Sequence, residues 1–289
     1  MPRRASVTVL GAVAVVRFTA VVVATMAAGG AVSGVTAVAG PGTGPMLPAP
    51  PGAAVTDLPQ DSRPVLLSTN WSGYAATAPA KFTSAKSDFL QPSIVCTGAP
   101  GLFVAAWVGL DGFRDKTVEQ DGTFATCTGP RHMTPTYVAW YEMFPAGSVE
   151  IFGVNAGDEI ATGRRLCRWP VRAVDRRRQH GPVAVLHRRP RWCRRASAEW
   201  IVERPELCSS RGRCFLSALP DFGTVALSSD TAQTATTGSV PLSSFNNTPI
   251  DMIQPKGPTV ELLDETNPLD RTGDAFSATW ERSGRRLPV

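Results

Sequence analysis

The sequence predicts an all-β protein, a sandwich or barrel, behind a segment that is not part of the core. Three observations carry this. From Ser68 onward, short apolar or alternating runs are broken repeatedly by Gly, Pro, Asn and Asp. No segment sustains a 3.6-residue apolar period long enough for a helix. The turn residues recur at the short spacing of packed antiparallel strands. The chain has 289 residues. The part after the leader is large enough to bury a substantial single core.

The N-terminus reads as an export signal. Arg3 and Arg4 form a basic start, and an apolar run interrupted by Arg17 follows. Ala37-Val38-Ala39 fits the small-x-small cleavage rule, which places a signal peptide over 1–39. A membrane anchor is the alternative, but Gly, Ala, Ser and Thr dilute the second half of the run. Residues 40–66 hold seven prolines between Pro41 and Val65 and read as a linker or pro-segment. Residues 67–289 form the β domain. The expected product is a secreted, extracellular protein, a monomer with no membrane association after signal removal.

Export makes disulfides plausible. Cys208 and Cys214 bracket the polar turn "CSSRGRC", a hairpin staple, and Cys96 and Cys127 are the next candidate pair. Neither a C-x-x-C nor an H-x-x-x-H accompanies the six cysteines, so no metal site is expected.

The strands follow in order. "LFVAAWVGLDG", "PTYVAWYEMFPAG", "SVEIFGVNAGDEI", "SAEWIVE", "FGTVALSS", "MIQPKGPTVEL" and "AFSATWERS" each read as one strand or two. Period-two alternation then groups side chains. Trp107, Gly109 and Asp111 share a face, as do Trp140, Glu142 and Phe144. Val118 pairs with Gln120 in this sense, and Glu199 with Ile201 and Glu203. Tryptophan beside carboxylates and an amide suggests a concave face that binds something.

The net charge of +5 does not describe the whole chain. The segment 163–196 holds twelve arginines against one acid, Asp175, hence +11, which leaves −6 for the rest. It shows neither a helical stripe nor clean strand alternation. A nucleic-acid-binding arm and a solvated basic loop are two readings. A third is a frame error, since Arg, Pro, Trp, Cys and Gly are the yield of GC-rich DNA read out of frame. A one-base shift from about Gly163 permits a strand-like string with a Gly turn. That reading ranks above nucleic-acid binding, and it strips Cys167, Cys193, His180 and His187 of functional meaning.

Most hydrolytic chemistries lack their residues. Outside the block the one histidine is His132, in a turn, which argues against a Ser-His-Asp triad. There is no H-E-x-x-H, no Gly-rich phosphate loop and no paired Asp-Thr-Gly. No organic cofactor has a motif. Carboxylates and a carboxamide remain. A glutamate can activate water, and a glutamine NH2 can donate to an oxyanion. Glu203 and Gln120 could thus hydrolyse an amide in acid. Glu142 with Glu203 could instead serve a glycosidase or a carbohydrate-binding sandwich.

The motifs "NWSGY", "WVGLDG", "VEQDG", "AWYEMFPAG" and "AEWIVE" resemble, in order and spacing, those of the glutamic peptidases, the eqolisin or A4 family with its bacterial members. The resemblance runs from about Ser68 to Trp280, with a hole at the Arg-rich block. It implies a secreted acid endopeptidase acting on proteins or peptides, and a sandwich of two curved antiparallel sheets, lectin-like in topology. It implies Gln120 and Glu203 as catalytic oxyanion donor and general base. It also implies Trp71, Trp107, Asp111, Trp140 and Glu142 as cleft residues. The "CSSRGRC" loop resembles a disulfide hairpin of fungal members. Where the family completes its sheet, this chain has the Arg-rich block, so the placement of Glu203 is expected to depend on strands there.

Overall fold

The computed structural model describes residues 64–114, 116–165, 172–174, 193–208 and 213–289. The expected signal peptide, most of the linker, Cys167, His180 and His187 lie outside them.

Eighteen strands are found among the described residues. They are β1 (Leu66–Ser68), β2 (Trp71–Thr77), β3 (Phe82–Leu90), β4 (Phe103–Leu110), β5 (Val118–Thr128), β6 (Thr134–Phe144), β7 (Val149–Val154), β8 (Glu159–Arg165) and β9 (Arg172–Val174). There follow β10 (Ser197–Glu203), β11 (Glu206–Cys208), β12 (Cys214–Leu216), β13 (Thr224–Thr234), β14 (Val240–Pro241), β15 (Asn246–Lys256), β16 (Thr259–Thr266), β17 (Phe276–Trp280) and β18 (Leu287–Pro288). The only helical turns described are two short 3-10 turns, at Pro130–His132 and Leu242–Ser244. No helix among the described residues is long and apolar enough to cross a membrane.

One hydrogen-bonded path links most strands, in the order β7-β6-β5-β4-β10-β2-β15-β16-β17-β13-β3-β8-β9. The path doubles over at β15. The first half of β15 pairs with β2, and its second half pairs with β16 after a register shift at Met252/Ile253. A bulge of this kind bends a strand and lets one ribbon serve two layers. Beyond the bend, β3 and β8 pack across β4, β5 and β10, which makes the two layers of an antiparallel sandwich. Pairing is antiparallel throughout these layers except for β1, which joins β15 in parallel. A small sheet, β11-β12-β18, stands apart from them.

Alternation decides what fills each side. In β4, Val104, Ala106, Val108 and Leu110 face the other layer, where Trp200 and Val202 of β10 and Phe89 of β3 join them. The intervening residues Phe103, Ala105 and Trp107 face away, and with Trp71, Phe124, Val118, Trp140 and Ile201 they form a second buried cluster. Both faces of β4 and β10 are therefore covered, and both strands are buried along their full length. Burying a side chain of this size contributes about 1.5–3 kcal/mol relative to exposure.

Two expected disulfides are present. Cys96 joins Cys127 and Cys208 joins Cys214. The second closes the β11–β12 hairpin, in which these residues are direct partners.

The described strand residues of the Arg-rich block sit elsewhere than its position before β10 suggests. They end β8 and form β9, at the far edge of the other layer. The strand that carries Glu203 pairs with β2 and β4 instead. The expected dependence of Glu203 on strands of the block is thus corrected. A strand held on both sides by the body of the fold needs no partner from the segment that leads into it.

Candidate active site

The second buried cluster lies on the outward face of the layer β6-β5-β4-β10-β2, and the register arranges its residues in rows. The first row reads Glu142, Gln120, Gly109, Glu199. The second reads Trp140, Gly122, Trp107, Ile201, Gly73. The third reads Phe124, Ala105, Glu203, Trp71. Gln120 and Glu203 therefore share a face, two strands and two rows apart.

Trp107 spans the interval. A methyl group placed on Gly109 would come within 2.8 Å of its ring, so the ring leans over the first row. Its Nε1 donates to Glu203 Oε2 in the third row at 2.7 Å. Gly122 makes room for this, since a Cβ there would lie 2.1 Å from the Ala106 carbonyl oxygen and 2.8 Å from Trp107 Cβ. The Trp71 ring meets Trp107 edge-on, with centroids 5.0 Å apart.

Glu203 is fully buried. Its second oxygen, Oε1, accepts from Asn70 Nδ2 at 3.3 Å. Burial pushes its pKa up to about 8, while the Trp107, Trp71 and Asn70 donors pull it down. Trp71 acts from outside hydrogen-bond geometry, as its Nε1 has no partner. Gln120 is equally buried, and its Nε2 donates to Glu142 Oε2 at 2.6 Å. That contact orients the amide and leaves the second N–H of Nε2 uncommitted. Among the described residues, Gln120 Oε1, Trp71 Nε1 and Trp140 Nε1 on this face have no hydrogen-bond partner. Each such atom costs about 1–3 kcal/mol, a debt that a polar ligand can settle.

Asp111 does different work. It follows β4 with φ of 69°, and its carboxylate accepts the backbone N–H groups of Arg195 and Ala196 at 2.7 and 2.6 Å. It braces the entry to β10. His132 is exposed in its turn. Among the described residues, two clusters have metal-like spacing, Asp111–Glu119–Cys193 and Glu206–Cys208–Cys214. Their cysteines are disulfide-bonded and offer no thiolate. Two residues of the site escape sequence reasoning: Asn70, overlooked inside "NWSGY", and Arg204, which follows Glu203 and looks like an ordinary surface cation.

Comparison with known proteins bears on this face. The family model described as Peptidase A4 family matches residues 69–163. The matched segment carries Gln120, Trp107, Trp140 and Glu142, and it stops at Gly163, where the Arg-rich block begins. No curated protein matches the chain. Among solved structures, scytalido-glutamic peptidase with a peptide-based transition state analog is similar at 21% identity and a TM-score of 0.59. The match covers 74% of this chain and 98% of that one. SCP-B, a member of the eqolisin family of peptidases in complex with the tripeptide Ala-Ile-His, is similar at 20% identity and a TM-score of 0.55 over the same shares. These neighbours share the β-sandwich fold. The similarity of residues 69–163 to the A4 family model supports a peptidase.

Proposed function

We propose that the chain is a secreted endopeptidase that cleaves peptide bonds in acid with Glu203 and Gln120 as its dyad. One observation carries this reading. A carboxylate held by two N–H donors and an amide with an uncommitted N–H share a face that also holds unpartnered donors and an unpartnered acceptor. An extended peptide offers the complement, a carbonyl for each indole N–H and an N–H for Gln120 Oε1.

The steps follow from the groups. Glu203 as the carboxylate takes a proton from water, and the oxygen attacks the scissile carbonyl carbon. The charge moves to the carbonyl oxygen, where the free N–H of Gln120 receives it. The proton on Glu203 passes to the departing nitrogen, the C–N bond breaks, and the carboxylate is restored. Glu142 keeps the Gln120 amide turned for this task. Buried as it is, Glu203 would be protonated in acid. Water entering with substrate removes the desolvation that raises its pKa, whereas the Trp107 and Asn70 donors, which favour the anion, remain.

The test is cleavage of a denatured protein in acid by two variants. Glu203→Gln should lose about 10²–10⁴-fold in kcat, and Gln120→Ala about 10²–10³-fold. Wild-type cleavage by folded Glu203→Gln protein would overturn the assignment.

A further inference from the structure

Arg204 is a fully buried guanidinium. Removing such a charge from water is expensive unless a partner compensates. No carboxylate forms an ion pair with it among the described residues, and burial lowers its pKa to about 10. Its hydrogen bonds go to backbone carbonyls instead. Nε donates to the Thr69 oxygen at 2.6 Å and Nη1 to the Arg285 oxygen at 3.3 Å. Its own backbone N–H donates to the Asn70 oxygen at 3.0 Å.

The segment it grips delivers a hydrogen bond to Glu203. Arg204 holds the carbonyls on both sides of Asn70's amide nitrogen. Ser68 Oγ donates to Asn70 Oδ1 at 3.1 Å and accepts the backbone N–H of Trp71 at 3.1 Å. Asn70 is left with its Nδ2 directed at Glu203 Oε1. On its other side Arg204 reaches the C-terminal segment. There the Arg285 N–H is held by Gln254 Oε1, the Arg286 guanidinium lies over the Phe215 ring, and β18 pairs with β12.

We propose that Arg204 is a positioning residue for Glu203. It locks Asn70 against the carboxylate and ties that lock to the C-terminal strand, thereby helping to hold Glu203 ready as the anion. The idea deepens the dyad reading and rests on it for its functional meaning.

The test reads Glu203 itself. Its carboxyl band in the infrared spectrum is the one lost in Glu203→Gln, and its titration midpoint is measured in Asn70→Ala, Arg204→Met and the double variant. Removing a donor favours the neutral acid, so both single variants should raise Glu203's proton affinity, by about three- to tenfold. The double variant should add nothing further, because Arg204 acts through Asn70. Arg204→Lys keeps the charge but loses the planar two-sided grip, and should shift the midpoint in the same direction. An unmoved midpoint in folded Arg204→Met or Asn70→Ala protein overturns the proposal, as do shifts that add in the double variant. If Arg204→Met fails to fold, Arg204→Lys is measured in its place. Loss of folding in both overturns the proposal and assigns Arg204 to the fold alone. The midpoint is read whether or not the dyad cleaves anything, so failure here is distinct from an active Glu203→Gln protein.

Discussion

Trp107 is the residue on which the two halves of the site depend. Its ring covers the row of Gln120, and its Nε1 holds Glu203. Trp107→Phe keeps much of the packing and deletes the donor. The Glu203 pKa should then rise, and the acid limb of kcat/KM should move to higher pH with it. The fall in kcat should be about tenfold or more, with KM changed less; a pH–rate series on the purified variant checks both. At this scale the sequence was partly legible. Strand alternation grouped Trp107 with Asp111, Trp140 with Glu142, Val118 with Gln120 and Glu199 with Glu203, each within its own strand, without any structure. It could not see that Asp111 turns to backbone amides at the end of its strand, because that depends on where residues 195 and 196 arrive. Nor could it see Arg204, whose burial follows from the closure of β1, β10 and the C-terminal segment around it.

Among the elements, β5 and β10 set the geometry, and each makes a distinct prediction. Gly122 in β5 lets two tryptophan rings flank a close-packed backbone. Gly122→Ala forces a methyl into the Ala106 carbonyl and should cost about 1–3 kcal/mol of stability, read by denaturant unfolding. β10 is enclosed by β2 and β4, so its placement does not hinge on the Arg-rich segment. Resequencing codons 160–197 is expected to return a shifted frame with strand-like sequence, in keeping with a family match that ends at Gly163. A confirmed block would overturn that expectation. The strands themselves were readable from short runs and turn residues, for instance the β15–β16 hairpin around Gly257. The doubling of the ribbon at β15 was not, since a bulge between Met252 and Ile253 has no signature in a single sequence.

The whole molecule buries carboxyl groups beyond the proposed dyad. Asp264 is buried against Ser72, and burial pushes its pKa up to about 8. Asp230 is raised well above its ordinary value, by burial first and then by Asp274, Asp88 and Asp270 nearby. With Glu203, these groups bind their protons more tightly in the folded state than in the unfolded chain. Their contribution to stability is complete below their ordinary carboxyl range and is lost as pH rises toward about 8. The melting temperature should therefore be higher near pH 4 than near pH 8, ordinary carboxyl values lying at about 4. Asp264→Asn should flatten part of that slope, gaining at least about 1 kcal/mol over wild type on the alkaline side; calorimetry across pH measures it. The sealing of Gln120 and Glu203, each at most 1% exposed, has one more consequence. If these are the proposed dyad's working groups, a peptidase that buries them does no harm to its siblings. Even at high concentration, copies of this chain should coexist without self-digestion. Their half-life in storage would then be governed by how often a partner chain reaches these buried groups, rather than by how fast they react.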